Sequence, residues 1–151
     1  MTEIFIAGNV PSQKNSKEIV SIKGKNGKRR PMLISSKTVR EYKKTYGFQW
    51  NLAENISAFW RQAEGKKKPL KVAFYFVRDS RRKFDYINAC QLPCDLMTKA
   101  KWIEDDNMQE IVPFFAGCHY DKKNAGVYIR VLEDDDVLGK FAEKCRKEQE
   151  G

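Results

Sequence analysis

The amino-acid sequence predicts an α+β fold in a single domain spanning 1–151, with a mixed β-sheet, two main helices and a C-terminal helix. Three observations carry this. Leu70 to Arg78 is rich in Val, Phe and Tyr, as a central strand requires. Val39, Tyr42, Tyr46, Trp50, Ala53, Ser57 and Trp60 recur at helical spacing. The chain has 151 residues, 41% of them hydrophobic, which suffices for one core without staples.

The elements follow in order. Glu3 to Val10 reads as a first strand, and the turn-forming Pro11 to Ser16 as a loop. Ile19–Lys23 and Pro31–Ser35 flank Gly24-Lys25-Asn26-Gly27, a hairpin with a basic, mobile tip. Thr38 to Glu41 fits a capping box and opens a long helix to about Ala63. Gly65 and Lys66-Lys67-Lys68-Pro69 end it before the Leu70 strand. Asp79 to Lys83 is a polar loop. Ile87, Cys90, Cys94 and Met97 then repeat on one apolar stripe, with a helix break expected near Leu92 because Pro93 lacks an amide donor. Ile111–Phe115 and Val127–Leu132 read as a strand pair joined around Asn124-Ala125-Gly126. Asp134, Asp135 or Asp136 caps a last helix from Val137 to about Gln149.

Charge separates along the chain. Lys plus Arg number 29 against 20 Asp plus Glu, a net +9. Residues 14–44 carry eleven basic and two acidic residues, and 61–83 carry nine and two. Residues 85–106 reverse this, with two basic and five acidic. Basic blocks of this size suit a polyanion, most simply nucleic acid, or else form a solvated lysine-rich surface. The longest aliphatic-aromatic run, Val72 to Val77, is far below the ~20 residues of a spanning helix, so no membrane partner is expected. The N-terminus lacks the pattern of a signal peptide. Cys90, Cys94, Cys118 and Cys145 are irregularly spaced and predict free, mostly buried thiols; with His119 they make no zinc spacing.

The stretch from Arg81 to Asp106 gathers Asp85, Asp95, Asp105 and Asp106 beside Arg81, Arg82 and Lys83. A basic protein has a physical reason to collect acids when it hydrolyses phosphodiesters. A divalent cation held by carboxylates stabilises developing charge and acidifies an attacking water. Mg²⁺ needs only one or two such carboxylates.

These residues resemble the RusA family of Holliday junction resolvases. The family motif runs Asp, any residue, Asp-Asn, then Lys three positions on, then Asp on the same helix, and a paired Asp-Asp about ten residues later. Asp85 matches the first acid, Asn88 the asparagine, Asp95 the helical acid and Asp105-Asp106 the pair. Lys101-Trp102-Ile103-Glu104 fits the lead-in, and Pro11-Ser12-Gln13-Lys14-Asn15 is similar to the family's opening. The likeness spans roughly residues 4 to 132. It implies a Mg²⁺- or Mn²⁺-dependent endonuclease that resolves branched DNA in recombination and repair. It also implies a homodimer in a bacterial or phage-infected cytoplasm. The metal ligands would be Asp85, Asp106 and Asp105, with Asp95 assisting catalysis. Lys14, Arg29, Arg30, Arg81, Arg82 and Lys83 would contact phosphates. Tyr42, Tyr46, Trp50, Phe59 and Trp60 offer more aromatic surface than one helix face usually buries, which also suits a dimer.

Two positions depart from the pattern. Ile87 stands in place of the second motif acid, and Gln91 in place of the lysine. Asp95 or Asp105 is then a candidate to replace the ligand, and Lys83 or Lys99 the charge. The alternatives are a resolvase-like DNA-binding protein without catalysis, or a basic RNA-binding protein whose acids are structural.

Overall fold

The computed structural model describes residues 3–12, 17–135 and 137–150. Lys14, the loop 13–16 and Asp136 lie outside the described residues. The expected α+β class and mixed sheet are present. Strands β1 (Ile4–Ala7), β4 (Leu70–Arg78), β5 (Ile111–Tyr120) and β6 (Gly126–Val131) form a sheet in the order β1-β6-β4-β5. Strands β2 (Lys17–Lys23) and β3 (Arg29–Ser35) form a separate two-stranded ribbon. The helices are α1 (Lys37–Tyr46), α2 (Ala53–Ala63), α3 (Tyr86–Lys99) and α4 (Val137–Glu150).

The β4 strand is the centre of the sheet. It runs antiparallel to β6 and parallel to β5, with α3 in the crossover between β4 and β5. The last two strands therefore flank β4 and do not pair with each other, contrary to the expected hairpin. A parallel β4–β5 pair needs a long crossover, and α3 supplies it. Val72, Phe74 and Phe76 of β4 are wholly buried with Ile4, Ile6, Val127 and Ile129 of the neighbouring strands. Tyr42, Trp50, Phe59 and Met97 from the helical layer join the same core.

The first strand stops at Ala7 because Gly8 turns the chain at φ 107°, where a Cβ would meet the Tyr46 ring at 2.4 Å. The long helix expected from Thr38 to Ala63 is two helices joined by a 3-10 turn, Gly47–Asn51. Gln49 explains the interruption. Its Nε2 donates to the Ala7 and Tyr46 carbonyls at 2.9 and 3.0 Å, and its Oε1 accepts from Ala7 N at 2.8 Å. The turn thus completes the outer edge of β1. Helix α1 is capped by Ser36, whose hydroxyl accepts from Val39 N at 3.4 Å, two residues earlier than expected.

The interruption also resets the helical face. In α2 the buried side chains are Ala58, Phe59 and Gln62, while Trp60 is 54% exposed. Tyr42, Trp50 and Phe59 are spent on the protein's own core, so the aromatic surplus invoked for a dimer is mostly absent. Helix α3 runs through Pro93 without the expected break. The Pro93 ring is fully buried, and its packing holds the helix across the missing hydrogen bond. Asp134 binds the Lys71 ammonium at 3.5 Å, tying the entry of α4 to β4. All four cysteines are free, as expected, but only Cys90 and Cys94 are buried. No helix among the described residues is long and apolar enough to cross a membrane.

Candidate active site

Helix α3 organises the motif residues. Asp85 is its N-cap: Oδ1 accepts from Ile87 N at 2.9 Å, satisfying a donor that the helix leaves open. Ala89, Cys90, Leu92, Pro93, Cys94, Leu96 and Met97 face the core. Ile87, Gln91, Asp95 and Lys99, each four residues from the last, are exposed. Residues so spaced share one helical face. Ile87 is 70% exposed and does not belong to the buried stripe with Cys90 and Met97. The preceding residue, Tyr86, already packs on the core, so Ile87 is exposed because it falls on the opposite, outer face. Both departures from the resolvase pattern therefore lie on the same open face as Asp95.

The second acidic segment is held by a tryptophan. After α3 the chain turns at Lys101, φ 67°, and Trp102 N donates to the Met97 carbonyl at 2.9 Å. The Trp102 ring lies 5.4 Å from Trp50 and 5.5 Å from Phe59, and its Nε1 donates to the Trp50 carbonyl at 2.7 Å. This buried anchor fixes the start of the loop bearing Asp105 and Asp106.

The two acids of the pair differ. Asp105 accepts from Asp106 N at 2.8 Å and from Asn107 Nδ2 at 3.1 Å, so both of its oxygens are committed to its own turn. The Asp106 amide, then the Asn107 side chain, hold its carboxyl below the usual carboxylate range. Asp106 is exposed. The Cys94 thiol is pushed up by its hydrogen bond with Cys90, by burial, by the Cys90 charge, and then by the charges of Asp106 and Asp95. The charges of both carboxylates therefore reach Cys94, one from the helix and one from the loop.

The charges of Asp95 and Asp106 thus meet at Cys94, whereas Asp85 and Asp95 stand apart on the helix. Ten residues of helix place those two about 15 Å apart along the axis. An aspartate reaches only two C–C bonds and one C–O bond from its Cα. Two such arms and two metal–oxygen bonds of about 2.1 Å do not span that distance. Asp85 and Asp95 cannot share an ion. Among the described residues no three His, Cys, Asp or Glu side chains form a group that could hold a metal. Asp95 and Asp106 carry carboxylates, hard oxygen donors of the kind that Mg²⁺ takes with water completing its shell.

The basic candidates fall in two places. Arg81, Arg82 and Lys83 are exposed in the segment just before Asp85, at the N-terminal end of α3. Arg81 also lies 4.9 Å over the Tyr120 ring. Arg29 and Arg30 are exposed on β3, and Arg29 Nη1 donates across the ribbon to the Ser21 carbonyl at 3.3 Å. Arg78, absent from the candidates, is structural: it lies 4.6 Å over Phe84 and donates to the Val10 carbonyl. The acidic stretch already groups Asp95 with Asp106, although the resemblance gives the metal to Asp85, Asp106 and Asp105 and makes Asp95 a helper. The i, i+4 spacing of residues 87, 91 and 95 signals their shared face, but the loop's placement within electrostatic reach of Cys94 has no local signature. No family model matches the chain, and no curated protein matches it.

Proposed function

We propose that the protein is a Mg²⁺- or Mn²⁺-dependent endonuclease acting on branched DNA, as the RusA resemblance implies, and that it works as a homodimer. The observation that carries the reading is that two exposed carboxylates, Asp95 and Asp106, both act electrostatically on Cys94 of α3, in a protein of net charge +9. Asp95 and Asp106 would hold the ion. When bound, it would supply charge stabilisation at the phosphate and a more acidic water. The protein's own groups have separate tasks. Arg81, Arg82 and Lys83 attract the sugar-phosphate backbone toward the start of α3. Asp105 braces the turn from which Asp106 projects. Trp102 fixes where that loop begins. Asp85 closes the N-terminus of α3.

The test is cleavage of a synthetic four-way junction in Mg²⁺, with binding measured separately without metal. Asp106→Asn and Asp95→Asn should each lower cleavage by at least ~100-fold, or about 2.7 kcal/mol of barrier. Junction binding without metal should persist, since anions facing phosphate have been removed. Glu54→Gln, on the exposed start of α2, serves as the control. Cleavage by Asp106→Asn at the unmodified rate refutes the site. A second reading, a junction-binding protein that does not cut, draws on Ile87 and Gln91 occupying the open face beside Asp95. Metal-independent binding with no cleavage by the unmodified protein would select it.

A further inference from the structure

The β2–β3 ribbon belongs to no other sheet, and none of residues 19–34 is buried. An isolated two-stranded hairpin is marginal in water, so a ribbon left bare is a surface awaiting a partner. Its tip is folded. Gly24 N donates to the Lys28 carbonyl at 2.8 Å, Gly27 N to the Gly24 carbonyl at 3.0 Å, and Lys28 N to Asn26 Oδ1 at 3.2 Å. Gly27 sits at φ 77°, which closes the turn. A fixed tip presents its side chains in a fixed arrangement.

The register sorts the side chains. Ile19 lies opposite Leu33, Ser21 opposite Pro31, and Lys23 opposite Arg29, so all six share one face. Ile19 is 74% and Leu33 60% exposed. The face is therefore apolar toward the body and cationic toward the tip. Residues 23–30 hold five basic residues and no acid.

We infer that this ribbon is an arm that lies in the major groove of duplex DNA, its basic end on the phosphates and its Ile19–Leu33 pair against base edges. The inference rests on the nucleic-acid part of the reading above, not on cleavage. Charge chooses the partner: two copies of a ribbon with five cations at the tip repel, whereas a polyanion is attracted. Shape agrees, because the major groove admits a two-stranded ribbon. Seven residues per strand make it about 23 Å long, which covers roughly seven base pairs. The bare apolar pair suits thymine methyl groups, which only the major groove displays.

Two double variants of the full chain test this, using a plain duplex and a four-way junction. Lys25→Ala with Lys28→Ala should flatten the log–log salt slope by about 1.8 for two lost phosphate contacts. Ile19→Ser with Leu33→Ser should weaken binding about tenfold with the slope unchanged. It should also expose guanine N7 atoms that the unmodified protein shields from dimethyl sulfate. Melting temperatures should hold, since no altered residue is in the core. Unmodified affinity and slope in both variants, while DNA binding persists, overturn the arm and leave the DNA reading intact. A dimer that dissociates in the Ile19/Leu33 variant at unchanged DNA affinity also overturns it, because a second copy then covers the face. Failure of the unmodified protein to bind DNA overturns the arm and the nuclease reading together.

Discussion

Replacing Ile87 with aspartate separates two roles for that position by their opposite signs. Ile87 is 70% exposed, so the change removes little apolar contact. A buried isoleucine replaced by an unpaired carboxylate would cost roughly 3 kcal/mol or more. At the surface the expected change is within about 0.5 kcal/mol. The local electrostatics divide. The first turn of α3 contains no acid, so a carboxylate there gains about 0.3–1 kcal/mol from the helix dipole. Asp85, two residues earlier, opposes it by repulsion. The net shift should be near zero. For a domain of this size 1 kcal/mol moves Tm by roughly 2–4 °C. Ile87→Asp should therefore melt within ~2 °C of the unmodified protein, and a fall beyond ~8 °C would show that Ile87 packs inside. The same variant is then assayed for junction cleavage. Residue 87 is about 12 Å along the axis from Asp95, too far to share an ion held there, so Mg²⁺-dependent cleavage should stay within about twofold. A folded variant that cleaves about tenfold faster would show that the ion sits at the start of α3 and would refute its assignment to Asp95 and Asp106.

Two further predictions concern the loop after α3. Trp102→Phe keeps a ring between Trp50 and Phe59 but leaves the Trp50 carbonyl unpaired, at a cost of about 1–3 kcal/mol. Melting should drop by several degrees and cleavage should fall although no acid has changed; an unaltered Tm would show that the hydrogen bond contributes nothing. Asp105 has a carboxyl held below its ordinary 3.8, so its turn is fully stabilised above that pH and loses the contribution as pH falls through the lower value. The Asp106 amide resonance should move only below pH 3.8, and Asp105→Asn should abolish the movement; a midpoint above 3.8 would contradict the hydrogen-bond assignment.

What could be read in advance divides along the range of the forces involved. The β4 strand is legible because Leu70 to Arg78 carries its preference in its own composition, and the observed bounds agree. The β2–β3 ribbon is legible for the same reason, its turn being marked by two glycines and an asparagine. The break at Gly47–Asn51 is not, because its cause is Gln49 reaching the edge of β1, forty-two residues away. Pro93 misleads in the opposite direction. Its local cost is real, but the core that buries its ring is assembled from β4, β6 and the other helices. Pairing of β5 with β6 fails likewise: both strands are locally correct, and only the placement of α3 decides that β4 lies between them. The acidic residues follow the same division. The face that Asp95 shares with Ile87 and Gln91 is visible as a four-residue spacing. The placement of the loop bearing Asp106 depends on Trp102 finding Trp50 in the core.

That dependence joins stability to the proposed chemistry. The inner face of α3 is part of the core, and its outer face carries Ile87, Gln91 and Asp95 in the open. The loop that bears Asp106 starts from Trp102, which is clamped between Trp50 and Phe59, residues of the 3-10 turn and of α2. A volume change at Phe59 therefore perturbs the start of that loop without touching any charged residue. The ribbon has no such tie, as none of residues 19–34 enters the core. Core variants should thus disturb metal-dependent cleavage before they disturb salt-sensitive DNA binding. Ribbon variants should do the reverse. Recognition and reaction are carried by parts of the chain that the core couples to very different degrees.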